Sequence, residues 1–570
     1  MAVVVSILKV IIKVLTEREA VIETSRLVPK WTKRVVTEMT GRDPLGLSRV
    51  AQTITDYLLT GIITQTDRAR YYSFYCWALW HIQMEESPQK FQDFVDGFRR
   101  REAAIAIATV LNNEATSPVG VTAVRSAINE GRPTRRFKTD FRVLPSNQLG
   151  GYGQYYSGSI YELGLTHRLD DGMDRITEGC AEELAIAFHD SLKNTPYIKK
   201  RLFLEKDISS RDIETSKQFL TIDALAEPFC VKEREILRQV FFSLDEKKLS
   251  DRDLLRRFTL AQVLYIVSEY EEKGQSAHYD DIDSYLVYPP YYYDVLHFED
   301  ESTSAYRYPE KFKVCRSFWR QYCLQQYITQ AIESLLYAVL ETVGSESGGL
   351  SLDETISRLI DSEFFSTLKD VTGNSCKHPW QLLAAFNVDK IPDESESIKL
   401  QKKIPITNGK SEAEILAIRE KSPSAALAVA VLLLSCIYGK WRGIKNDIGC
   451  SYVAQHAGHE LWMGSVIHSL DTWLRKGTSW PETLRFMIEE FILFQHDRVM
   501  YEKRRLDSCW LSRIEGKIVK EQDYTPRWRS SRHRNAVTIL RDLGFVDVDS
   551  DMLISITKDG RKILQKVLKD

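Results

Sequence analysis

The 570-residue chain contains no Cys-x-x-Cys pair, and its nine cysteines (Cys76, Cys180, Cys230, Cys315, Cys323, Cys376, Cys436, Cys450 and Cys509) are scattered singly. An odd, dispersed set excludes a disulfide framework and a zinc ribbon, and fits a reducing cytoplasm. Net charge is also nearly absent, at -2. Nothing therefore pulls the whole chain towards nucleic acid, and any basic site has to be local. No Walker glycine loop, no Gly-x-Ser-x-Gly and no dinucleotide fingerprint occurs, so the familiar nucleotide-binding and hydrolase signatures are missing. "GGYGQYY", from Gly150 to Tyr156, lacks the third glycine of a dinucleotide motif.

Long hydrophobic runs are missing too. "MAVVVSILKVIIKVL" carries Lys9 and Lys13 inside its apolar stretch and is too short to span a bilayer. It reads as a peripheral amphipathic helix, or as sequence before a true start at Met39. "SAALAVAVLLLSCIY", Ser424 to Tyr438, is short of a span and reads as a buried core helix. What remains is an ordinary globular composition, 43% hydrophobic and 27% charged, in a chain too long for one core. The pattern predicts a mainly α, multi-domain helical protein in five parts: 1–38 an N-terminal extension, 39–114 helical, 115–192 and 479–570 each ending like a winged helix, and 193–478 a central helical region.

Arginine beside aromatics stands out in "TDRARYYSFYCWALWHI", Thr66 to Ile82. Such a composition suits a single-strand nucleic-acid platform. Tyr72, Tyr75 and Leu79 nevertheless fall on one helical face, and Trp77 and Trp80 continue the next. A helix apolar almost all round belongs in a core. That leaves Arg68 and Arg70, at its start, as the exposed candidates.

This region carries a resemblance. Leu45-Gly46, Leu58-Leu59-Thr60-Gly61, then Thr66, Arg70, Tyr71, Phe74 and Trp77 resemble the opening of an uncharacterised prokaryotic family known only as a domain of unknown function. Thr60 stands where that family's series has proline, and the likeness covers about forty residues. It implies a genomic setting among restriction and phage-defence genes, and no chemistry.

The middle of the chain reads as successive helices. One begins with a Ser-x-x-Asp cap at Ser250 and Asp253 and stops at Gly274. The stretch 387–412 is polar and interrupted by proline, as a linker would be. "YLVYPPYYYDVLHF", Tyr285 to Phe298, reads as a packed, proline-broken aromatic loop.

The informative pattern is an internal repeat. Leu163-Gly164-Leu165 matches Leu543-Gly544-Phe545, Ile176-Thr177 matches Ile556-Thr557 at the same distance, and Leu184 matches Leu564. Each unit predicts a helix stopped by glycine, a strand, a turn, a second strand and a helix capped by threonine. Winged helix-turn-helix domains end in this way. "ITKDG", Ile556 to Gly560, resembles the Leu-Thr-x-x-Gly element that closes many prokaryotic winged-helix regulators.

The two candidate recognition helices differ. Around the second, Arg527, Arg529, Arg532, Arg534 and Arg541 stand with His533, and no acid occurs from Tyr524 to Leu540. Ser530 or Ser531 is placed to cap that helix. Arg532 and Asn535 then fall in its first turns, where base edges are read, and arginine and asparagine pair bidentately with guanine and adenine. The expected DNA-binding set is Arg527, Arg529, Ser531, Arg532, His533, Arg534 and Asn535. In the first unit Tyr152 and Tyr155 replace the arginines and point to a protein partner.

Three further constellations read as structural. Cys450, His456, His459, Glu460 and His468 include a one-turn His456–Glu460 pair, but in the wrong order for a zinc motif. "HYDDID", His278 to Asp283, reads as a solvated acidic turn. Glu489, Asp497, Glu502 and Lys503 have the ingredients of a divergent nuclease core, yet fall on an exposed helix face. The expectation is a cytoplasmic, non-catalytic subunit binding duplex DNA and other protein subunits of a DNA-processing or anti-phage assembly. No cofactor, metal or membrane contact is expected. The alternatives are a divergent metal-dependent nuclease and a protein-binding scaffold.

Overall fold

A computed structural model describes residues 43–569 apart from 245–248, 292–294, 297–305, 308, 386–411, 445, 459, 475–476 and 504–508. The N-terminal extension and nearly all of the polar stretch 387–412 lie outside the described residues. The protein is mainly helical. No described helix is long and apolar enough to cross a membrane.

The N-terminal part runs through α1 (Ser48–Leu58), α2 (Arg70–Glu85), α3 (Phe91–Asn112) and α4 (Val121–Gly131) to strand β1 (Arg136–Lys138). Helix α2 holds the arginine–aromatic stretch and is core. Tyr71, Tyr72, Phe74, Tyr75 and Trp77 are buried, while Trp80 lies at the margin. Arg70, expected at the surface, is fully buried. Its guanidinium reaches Glu233 at 3.2 Å and the Phe219 carbonyl at 2.9 Å. Arg68 bonds Asp542 at 2.9 Å and pairs with Asp223. Burial would lower the Arg68 pKa, but those two carboxylates raise it. Both arginines join distant segments, so neither is a free surface cation.

After α4 and β1, a π turn (Tyr152–Tyr156) leads into α5 (Ser157–Glu162), the hairpin β2 (Thr166–His167) and β3 (Arg175–Ile176), and α6 (Cys180–Leu192). Strand β4 (Asp207–Ser209) returns to pair with β1 and opens α7 (Ser210–Leu220), which is followed by α8 (Val231–Phe242). Next come α9 (Asp251–Glu272), β5 (Ala277–His278) and α10 (Tyr279–Tyr291). The Ser250–Asp253 capping box opens α9, as the sequence suggests, and Gly274 follows it at φ +72°. Helix α10 runs through Pro289 and Pro290, so the aromatic stretch is helical as far as Tyr291 and not a loop.

The centre is α11 (Lys313–Val343), then β6 (Leu350–Ser351), α12 (Leu352–Leu359), α13 (Pro423–Ile444) and α14 (Ile448–His456). Helix α13 is the expected core helix, with Ala426 to Ala430 fully buried. Towards the C-terminus follow α15 (Trp480–Ile488), a π turn into α16 (Phe494–Lys503), β7 (Leu511–Ile514), β8 (Lys517–Lys520), α17 (His533–Asp542), β9 (Val546–Val548), β10 (Leu553–Ile556) and α18 (Lys558–Lys569).

The repeat is real at the level of hydrogen bonds, except that Thr557 caps α18 through the Gly560 amide whereas α6 starts after Gly179 without a threonine cap. Gly164 and Gly544 end their helices at φ +71° and +75°. The Thr177 and Thr557 hydroxyls donate to the carbonyls of those glycines, both at 2.8 Å. The pairing Thr166↔Ile176 corresponds to Val546↔Ile556. What the sequence does not reveal is a third strand. β5 pairs with β10 in a sheet ordered β9-β10-β5. The hairpin near the C-terminus therefore rests on α9, β5 and α10, and a boundary at 479 does not enclose it. A second sheet repeats the plan, because β6, between α11 and α12, pairs with the second strand of the β7–β8 hairpin. That hairpin turns at Glu515-Gly516, both with positive φ, the signature of a two-residue turn.

Candidate nucleic-acid interface

From Tyr524 to Ser530 the chain lies extended across α11. Its backbone is received by polar side chains on one stripe of that helix. The Arg527 amide donates to Glu333 at 2.9 Å and the Arg529 amide to Gln326 at 2.9 Å, while the Tyr322 hydroxyl donates to the Arg529 carbonyl at 2.7 Å. The Arg529 guanidinium pairs with Glu333 and lies 3.7 Å from Asp43. Burial works against its charge, but those carboxylates hold its pKa above the ordinary arginine value. Glu333 is fully buried, and burial raises its pKa despite Arg529. Arg529 is therefore an internal strut, and not the exposed DNA contact that its place in the expected set implies.

Most of the expected base readers are buried as well. Ser531 donates to Asp283, and His533 Nδ1 lies 3.1 Å from the same carboxylate. Burial would raise the Asp283 pKa, but His533, Ser531 and Arg534 together hold it below the usual carboxylate range. Arg532 donates to the Ile62 carbonyl at 2.9 Å and pairs with Asp56, while Asn535 donates to the Thr64 carbonyl at 3.2 Å. The loop between α1 and α2 thus covers the face that the sequence assigns to base reading. Neither serine caps α17. Arg532, at φ +64°, occupies the cap position and its side chain makes no capping bond, while the Ser531 hydroxyl accepts, among the helix amides, only that of His533, at 3.4 Å.

What α17 turns outward is a narrower stripe of Arg534, Thr538 and Arg541, with Arg527 and Trp528 exposed ahead of it. Arg534 is 3.1 Å from Asp280 and sits over the Tyr279 ring at 5.5 Å. The hairpin carries exposed Asp547 on β9 and exposed Asp549 and Asp551 at its tip. "HYDDID" is accordingly not a solvated turn. From Tyr279 it is the first turn of α10; Asp280 and Asp283 meet the arginine-rich segment, and Asp281 accepts from the His278 amide at 2.7 Å.

Tyr152, expected to face a partner, is fully buried, with its hydroxyl on Asp174 at 2.6 Å and its ring against Tyr75 and Phe98. Tyr155 is half-buried beside the same core. The glycines before them serve packing. Glu102 accepts from the Gly151 amide at 2.9 Å and from the Tyr75 hydroxyl at 2.8 Å. A Cβ at Gly150 would sit 1.7 Å from the Glu102 carboxylate. Burial pushes the Glu102 pKa up to about 7, although its three hydrogen bonds oppose the shift.

The remaining constellations are tied by arginines or dispersed. Helix α14 ends at His456, whose Nδ1 donates to the Tyr452 carbonyl at 2.8 Å, so the His456–Glu460 helical pair does not form. Glu460 pairs with Arg49 and Arg498, Glu502 with the same two arginines, and Asp497 with Arg513. His459 and the Lys503 side chain lie outside the described residues. Among the described residues no three His, Cys, Asp or Glu side chains gather around one metal position. The chain matches no family model, no curated protein and no solved structure.

Proposed function

We propose that the protein is a non-catalytic duplex-DNA-binding subunit of a larger DNA-processing or defence assembly. In this reading α9, β5, α10, α17, β9 and β10 form a winged helix divided by residues 292–532. The supporting observation is the strand order. β5 follows the first helix, precedes the second, and pairs with the second strand of the hairpin, as the corresponding strand of a winged helix does. Helix α17 then occupies the recognition position. Its outward arginines, Arg534 and Arg541, suit phosphate oxygens or guanine edges. The defence setting rests on the resemblance of residues 45–77 alone.

The test is anisotropy of a labelled random 30-base-pair duplex with the full chain, from low to moderate salt. Replacing Arg534 and Arg541 by glutamine should lower the slope of log affinity against log salt by about 0.9 for each phosphate that is no longer neutralised. No binding at low salt would overturn the reading.

The exposed carboxylates at the hairpin tip favour a second reading, in which this unit contacts protein. Duplex binding that is indifferent to Arg534 and Arg541 would assign α17 to that role.

A further inference from the structure

A dense patch of positive charge, only part of it paired, lies far along the chain from the C-terminal unit. Segments 121–142 and 199–211 together hold eleven Lys and Arg against four Asp and Glu, in a chain whose net charge is -2. Strands β1 and β4 bring them side by side. The ribbon runs from Arg135, whose carbonyl accepts from the Ser210 amide at 2.8 Å, to Thr139, whose amide donates to the Lys206 carbonyl at 2.8 Å. Between them Phe137↔Ile208 is the inward pair, and both side chains are buried. Arg136, Lys138, Asp207 and Ser209 form the outward face, which carries no apolar side chain.

Two of the nearby acids are paired and two are not. Asp207 is taken by Arg136, and Asp212 by Lys200 at 2.7 Å. Glu205 and Asp140 are exposed. Arg135 and Arg211 at one end of the ribbon, and Lys138 and Lys206 at the other, are exposed and make no ion pair among the described residues. Four free cations thus bracket a ribbon about 13 Å long and about 5 Å wide.

We infer that this ribbon is a second contact surface for the phosphate backbone of duplex DNA, resting on the DNA-binding reading above. Charge complementarity selects the occupant. Two pairs of cations about 13 Å apart can each reach a phosphate of a duplex, whose phosphates follow at about 3.4 Å along the axis on each strand. Two of the four are arginines, whose planar fork meets phosphate oxygens bidentately. The polar outward face offers nothing to insert into a lipid surface or to fill the apolar centre of a protein interface. The contact is therefore electrostatic and indifferent to base sequence.

The test uses the full chain and the same labelled duplex. The triple variant Lys138→Gln, Lys206→Gln, Arg211→Gln alters only exposed side chains, and its melting should match wild type. Its affinity should fall about tenfold or more at moderate salt, and the salt slope should drop by about 2.7, or 0.9 for each phosphate released. Wild-type duplex binding with an unchanged affinity and slope in the triple variant would overturn the ribbon while leaving the DNA reading intact. Absence of wild-type binding would remove the DNA reading itself. Competition by poly-glutamate as effective as unlabelled duplex at equal charge would show an acidic protein to be the occupant, and would also overturn the inference.

Discussion

The helix–hairpin–helix at 157–192 and the one at 533–569 share a backbone and differ in everything around it. In both, a left-handed glycine, a threonine hydroxyl bonded back to its carbonyl and the same strand register fix the turn from helix into hairpin. The first is then held by rings: Tyr71, Tyr75 and Phe98 close around Tyr152 and Tyr156. The second is held by charge: Asp56, Asp283 and Glu333 close around Arg532, His533 and Arg529. A local motif settles the path of the chain, and its neighbours settle which side chains remain available for binding.

The largest effect should come from separating the second unit from its neighbours. Residues 479–570 alone lack β5, α9 and α10, so this fragment should show no cooperative melting transition. A two-state melt would mean that the hairpin needs no third strand. Next comes the charge that ties the unit down. Arg529→Ala in the full chain should destabilise by about 3–5 kcal/mol in urea titration, because Glu333 is left buried and unpaired. The double change with Glu333→Ala should lose less than the two single losses combined. Additive losses would count against a coupled pair.

The ring-held unit should break through pH. The Glu102 pKa lies at about 7 in the folded chain, against 4.5 for the ordinary group. A raised carboxylate pKa means that the folded state keeps its proton longer than the unfolded state. Its contribution is full below about pH 4.5 and is lost as pH rises through 7, by roughly 3 kcal/mol. Glu102→Gln should flatten that slope, and an unchanged slope would clear Glu102 of the effect. Smaller still, Thr177→Val should cost about 1 kcal/mol by removing its bond to the Gly164 carbonyl. Thr557→Val should cost about 1 kcal/mol more, because its hydroxyl also accepts from the Gly560 amide at 3.0 Å and caps α18. Equal losses would show that the cap contributes nothing. Finally, Arg534→Gln should move stability by less than about 0.5 kcal/mol, which separates this exposed arginine from Arg529.

Much of the helical architecture is legible in the sequence because its signals are local. The Ser250–Asp253 cap, the apolar circuit of α2 and the Gly–Thr frame of the repeat each lie within a few residues. The Glu515-Gly516 turn is equally local, lying between Leu511–Ile514 and Lys517–Lys520, and is a signal that the sequence reading missed. The pairing of β5 with β10 is not legible, since two short strands far apart carry no mark of their partnership. The arginine-rich segment misleads for a related reason. No acid occurs from Tyr524 to Leu540, yet Asp43, Asp56, Asp283 and Glu333 reach it from elsewhere in the chain. A run of like charge in sequence says nothing about counter-charges that only the fold supplies.

The nesting of one strand-closed unit inside another also sets which pairing becomes possible first. The β6–β8 pairing lies wholly between α10 and α17, so it can close before β10 has been synthesised, whereas β5 must wait for β10. Loop closure adds only about 0.6 kcal/mol for each doubling of the intervening length, so the delay costs little at equilibrium. It weighs on rate, because contacts distant in sequence form late and leave strand edges open meanwhile. Until then β5 offers an unpaired edge beside α9, while the inner sheet is free to form.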